Sequence, residues 1–103
     1  MDLEYVTYVR EFFLKTVKPY IQRGEYQEAA SLMRSINSQA VLDEKNTDNL
    51  LVDHAESFAI SVQSLYNQLK MDIPHSEIIW DCAREFEIYS GQLKMRLEAL
   101  AEE

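Results

Sequence analysis

Two histidines (His54 and His75), one cysteine (Cys82) and a surplus of carboxylates are the side chains of this 103-residue chain best able to do chemistry. A carboxylate-bridged metal site in a helical bundle needs Glu-x-x-His on two inward helix faces. Neither histidine has a glutamate three residues before it, and Asp72-x-x-His75 spans Pro74 instead of one helix face. So sparse a ligand set predicts no bound metal. Cys82 would need a base or a positive environment to form thiolate. Its neighbours Asp81, Glu85 and Glu87 make the locality negative against the single charge of Arg84, which predicts a buried structural thiol. His54, beside Asp53 and near Glu56, reads as a half-buried packing residue. The sharper alternative is a pH-sensitive contact, because imidazole titrates near pH 6.5. The sequence contains no Gly-rich phosphate loop, Ser/His/Asp set or zinc-ligand spacing. Acid pairs such as Asp81/Glu85 are common on solvated helix faces and imply no cleft. The expectation is a protein that is not an enzyme and carries no cofactor.

One feature exceeds what a core requires. Ile88 and Met95 fall almost opposite the apolar seam of their helix, and Trp80 lies between the two sides. Asp81, Arg84, Glu85 and Gln92 flank them. An exposed apolar stripe with polar flanks is the usual appearance of a protein contact. Trp80, Asp81, Arg84, Ile88 and Met95 are therefore the candidate partner-binding residues. The competing reading is that another part of the chain, the aromatic first helix above all, covers the stripe. Ile60, opposite the seam of the preceding helix, raises the same question.

The elements that position these residues follow from spacing. Leu51, Ala55, Phe58, Val62, Leu65 and Leu69 step by four and three, which puts all six on one stripe of an α-helix. Ile79, Ala83, Phe86, Ser90, Leu93, Leu97 and Leu100 repeat the pattern after the breaker Asp72-Ile73-Pro74-His75-Ser76. Two such seams joined by a tight connection predict an antiparallel helical hairpin. Thr47 or Asp48 is placed to cap the first of these helices and Ser76 the second. Gly91, inside the second, marks a bend or a close helix approach.

Towards the N-terminus, Tyr5, Val6, Val9, Phe12, Phe13, Val17 and Tyr20 cover one broad face of a helix expected from Asp2 to about Gln22. Pro19 should kink or end it. Tyr5, Tyr8, Phe12 and Phe13 could form a base-stacking platform, but the neighbourhood lacks basic density, and packing into a core is the expectation. Gly24 ends the segment, and Tyr26, Ala29, Ala30, Met33 and Ile36 restart helical spacing towards Ala40 or Val41. Residues 42–48 are the most polar run and read as a loop. The stretch Gly24-Glu25-Tyr26-Gln27-Glu28-Ala29 resembles the turn and second helix of a tetratricopeptide repeat, where glycine makes the turn and a small residue lets the helices approach. The resemblance covers one hairpin. No second copy follows at a period near 34 residues, which argues against a solenoid.

The predicted fold is all-α: a small antiparallel bundle of about four helices in two hairpins, forming a single domain over residues 1–103. A lone cysteine precludes an internal disulfide and fits a reducing cytoplasm. The first residues lack the basic and apolar regions of a secretory signal, and no apolar run approaches a membrane span. The formal net charge is −8. Residues 1–23 carry about +1 and everything after Arg23 about −9, the opposite of the concentrated positive field that nucleic acid requires. The preferred expectation is a non-catalytic, acidic helical protein that binds a protein partner as an inhibitor, immunity protein, chaperone or adaptor, and a basic partner is compatible with its charge. The alternative is a self-assembling structural or regulatory protein, with a homodimer as the default.

Overall fold

The spacing that marks Leu51–Leu69 and Ile79–Leu100 produces two long helices, α4 (Asn49–Leu69) and α5 (Ser76–Ala101). They belong to a computed structural model that describes residues 2–39 and 48–102. Before them come α1 (Asp2–Phe12), a π-helical turn (Phe13–Val17) and α2 (Lys18–Gln22), continuous with one another, and then α3 (Tyr26–Met33). Among the described residues these make four helical rods and no strand. All six seam residues of α4 are buried, as are Ile79, Ala83, Phe86, Ser90, Leu93 and Leu97 of α5. The two helices run antiparallel: Arg96, near the end of α5, grips Asp48 at the start of α4, with Nε donating to Oδ1 at 3.2 Å and the terminal nitrogen donating to the other carboxylate oxygen.

Pro19 does not end the first rod: helical geometry continues past it through α2 to Gln22. Val6, Val9, Phe13, Val17 and Ile21 form its buried line, with the last four stepping by four. In a regular α-helix a step of four drifts about 40° round the axis. The π turn, closed by Lys18 N–H donating to the Phe13 carbonyl, is wider than an α turn and holds Phe13, Val17 and Ile21 on one side. It also directly precedes the position where a proline ring would crowd the preceding turn. Gly24 then turns the chain with φ +76, a conformation glycine adopts freely, and Ala29 and Ala30 are buried where α3 comes back.

α3 stops at Met33, well short of Ala40 or Val41. Tight backbone bonds, Ser35 N to Leu32 O and Ile36 N to Met33 O, close its end. Ser35 Oγ also donates to the Leu32 carbonyl at 2.8 Å. The chain then leaves helical geometry, and Asn37 N–H donates to Tyr5 Oη at 2.6 Å, pinning this segment to α1. Ala40, Val41, Thr47 and the loop up to residue 47 lie outside the described residues. Asp48 caps α4, its carboxylate accepting from Leu51 N–H at 2.7 Å. Ser76 is not a cap: helical bonding starts at the His75 carbonyl, which accepts from Ile79 N–H, so His75 holds the cap position without a side-chain bond.

Gly91 marks a close approach. The Arg10 guanidinium of α1 lies across α5, Nη1 donating to the Glu87 carbonyl at 2.8 Å and to Ser90 Oγ at 2.7 Å. A Cβ on residue 91 would stand 3.1 Å from that nitrogen. Arg10→Ala is expected to cost about 1.5–3 kcal/mol in urea unfolding, the range for hydrogen bonds from a charged donor. Gly91→Ala should gain about 1 kcal/mol of helix propensity in the Arg10→Ala background and distinctly less beside Arg10. Equal gains in both backgrounds would show that Arg10 is not what the glycine accommodates.

Candidate protein-binding site

At about 100° per residue, Ile88 and Met95 lie on the opposite side of α5 from the Ile79–Phe86–Leu93 line. They are 50% and 70% exposed. α1 covers only a flank of this helix. Arg10 reaches Glu87 and Ser90, and Lys18 Nζ lies 3.2 Å from Glu87 Oε1. The aromatic first rod therefore does not cover the Ile88/Met95 stripe.

The other candidates are placed differently. Trp80 is half-buried and packs against the core, so much of its indole is already engaged. Asp81 and Arg84 are exposed and hold one another at 2.9 Å, the kind of surface pair that contributes little to stability. Ile60, on α4, is exposed and borders a separate groove of about 290 Å³ with Ser38, Gln39, Glu56, Ala59 and Gln63. The early aromatics divide: Phe13 is buried, Tyr5 and Phe12 pack against the core, and Tyr8 stands exposed with its ring 5.9 Å from Phe12.

Met95 also forms one wall of a shallow groove of about 260 Å³ between the start of α4 and the end of α5. Leu50, His54, Gln92, Arg96 and Ala99 line the remainder. Leu50 is 49% exposed, and its place one residue before the buried Leu51 was the signal that it faces away from the core. His54 is half-buried in this wall. Sequence spacing also passed over the tip of the α4–α5 hairpin, where Met71, Ile73 and Ile78 are exposed. Their signal was apolar side chains in and beside a connector, where polar turn residues are the rule.

Electrostatics separates structural groups from reactive ones. The Cys82 thiol is half-buried, and its pKa is raised by that burial and then by the carboxylates of Glu85 and Asp81. A thiol so placed stays protonated at neutral pH and is a poor nucleophile. Asp48 is held below the ordinary carboxylate range, first by its hydrogen bonds from Arg96 and then by the Leu51 N–H. Among the described residues no three His, Cys, Asp or Glu side chains gather as metal ligands, and no helix is long and apolar enough to cross a membrane. The cations of the first rod are engaged locally: besides Arg10 and Lys18 on α5, Lys15 lies 3.9 Å from Glu11 and Arg23 lies 2.7 Å from Glu25. Compared with known proteins, the chain matches no protein-family model, no curated protein and no solved structure.

The Asp48–Arg96 clasp, whose arginine lines the groove, is acid-sensitive. With the folded pKa below the ordinary value of 3.8, the clasp's contribution is complete above that value and is lost as pH falls through the folded pKa. Asp48→Asn keeps a capping side chain and removes the charge. It is expected to lower the urea midpoint at pH 7, with the gap from the parent chain narrowing as pH falls below 3.8. A gap that keeps its size as pH falls would show that the carboxylate's charge is not what holds the two helix ends together.

Proposed function

We propose that this chain is a non-catalytic binding protein whose partner, another protein, docks on the outer face of α5. The observation that carries this reading is the exposure of Ile88 and Met95, two turns apart on a helix whose opposite face is buried. Exposed apolar groups of this kind gain free energy when a partner removes them from water. The adjoining groove gives the face relief, with Leu50 and Met95 standing on either side. A concave, partly apolar site flanked by charge is suited to seating a partner's side chain, as binding energy concentrates in a few anchors. The raised pKa of Cys82 supports a structural role for the chain's one thiol, and a free thiol fits a reducing compartment such as the cytoplasm. Inhibitor, immunity protein, chaperone and adaptor all act by such a contact.

The test is the double variant Ile88→Ser/Met95→Ser, measured against a partner recovered from the native cell with the parent chain. Both side chains are exposed, so unfolding stability should shift by less than about 1 kcal/mol in total. Affinity should fall by tenfold or more, the equivalent of about 1.4 kcal/mol. Trp80→Ala is unsuitable as the first probe, because it removes a side chain packed on the core. A folded double variant that binds the partner as tightly as the parent chain would remove this face from consideration.

A further inference from the structure

The charges around the Ile88/Met95 stripe bear on the chemistry of a partner it could bind. Along the outer side of α5, Glu77, Asp81 and Glu85 precede the stripe, and Glu98 and Glu102 follow it; all five are exposed. Arg84 is the one cation among them, and Asp81 already holds it. Arg96 is bound to Asp48, and Lys94, seven residues on from Glu87, lies on the side of α5 turned to α1. The last turn of α5 contains no basic residue. Helix C-termini carry partial negative charge and favour cations. Glu98 and Glu102 therefore add to the negative potential at this end, and no cation of the last turn offsets it.

A second copy of this chain does not suit the face. Antiparallel pairing of two α5 helices that sets Ile88 against Met95 also sets Glu85 opposite Glu98 and Asp81 opposite Glu102. Parallel pairing sets every carboxylate opposite itself. Like charges facing across an interface are how wrong partners are rejected.

We infer that the face receives a basic amphipathic helix from the partner protein, laid along α5 with apolar side chains on Ile88, Met95 and Leu50 and with lysines or arginines over the flanking carboxylates. The inference rests on the outer α5 face being the docking surface. The stripe's two residues are two turns apart, about 10 Å, so the ligand helix offers apolar residues at steps of three, four and seven. Asp81 to Glu102 spans about 30 Å, which sets the ligand at roughly 20 residues.

The probe is a labelled, amidated 20-residue peptide with leucines at alternating steps of three and four and lysines elsewhere, titrated with the full chain by fluorescence anisotropy. Two comparison peptides accompany it: a scramble of the same composition, and the same leucine pattern with glutamates in place of lysines. The patterned basic peptide is expected to bind, more weakly as salt rises. Both comparison peptides should bind at least about tenfold more weakly, as should the patterned peptide to Glu85→Lys/Glu98→Lys and to Ile88→Ser/Met95→Ser. Failure of the patterned peptide to bind, or equal binding of the scramble, overturns the inference. If the glutamate peptide binds as well as the lysine peptide and Ile88→Ser/Met95→Ser abolishes both, the partner chemistry is wrong while the docking face stands. If the basic peptide binds the Ile88→Ser/Met95→Ser variant undiminished, the docking face itself is wrong. Sedimentation that shows a dimer dispersed by the same double variant would make a second copy the occupant and overturn the inference.

Discussion

Phe86 lies with its ring 4.6 Å from Phe13 and 6.0 Å from Phe58, so one side chain of α5 joins the first rod to α4. All three rings are fully buried. Burying a phenylalanine stabilises by about 1.5–3 kcal/mol, and tilted aromatic pairs add to this. The contact is also geometrically demanding. It requires the first rod and α4 to reach α5 at the same level, and among the described residues it leaves the far side of α5 with nothing against it. The Ile88/Met95 surface is the consequence of that arrangement, since a helix packed by two neighbours through adjacent sides has a third side left open.

The polar ties reinforce this asymmetry. Arg10 and Lys18 reach from the first rod to Glu87 and Ser90, and Arg96 turns to Asp48. Each draws a cation into contacts within the fold. The carboxylates on the outer side of α5 keep only Arg84 among them, so the side that no other described element covers is also the side that is strongly negative. Packing and charge thus arrive at one surface for connected reasons.

The two seams were legible because burial in a helix imposes a three-four rhythm on composition, and every residue of the α4 stripe obeys it. The first rod was legible in extent, although its buried line steps by four from Val9 to Ile21, a drift that the wide π turn between Phe13 and Val17 offsets. The end of α3 was not legible. Its apolar spacing continues to Ile36, which is buried, while the backbone has already left the helix to meet Tyr5. Ser76 looked like a cap because its residue type is suited to one, but capping depends on where the first helical bond forms, and that was the carbonyl of His75.

At the site, Ile88 and Met95 could be read directly from the helical wheel, since residue type and an angle of 100° per residue decide which side of a helix they occupy. Whether another element covered that side could not, because coverage is a property of how rods pack. Trp80 shows the difference: it sits between the seam and the stripe on the wheel, and tertiary packing set it half-buried against the core. The groove beside Met95, the Arg10 contact over Gly91 and the Asp48–Arg96 clasp join residues far apart in sequence. Sequence alone determined the helical periodicity, the net negative charge and the scarcity of reactive side chains, because these belong to residues and their near neighbours. Only tertiary structure decided which apolar side chains remained in water and which cations were neutralised, because both depend on distances between helices that local spacing does not encode.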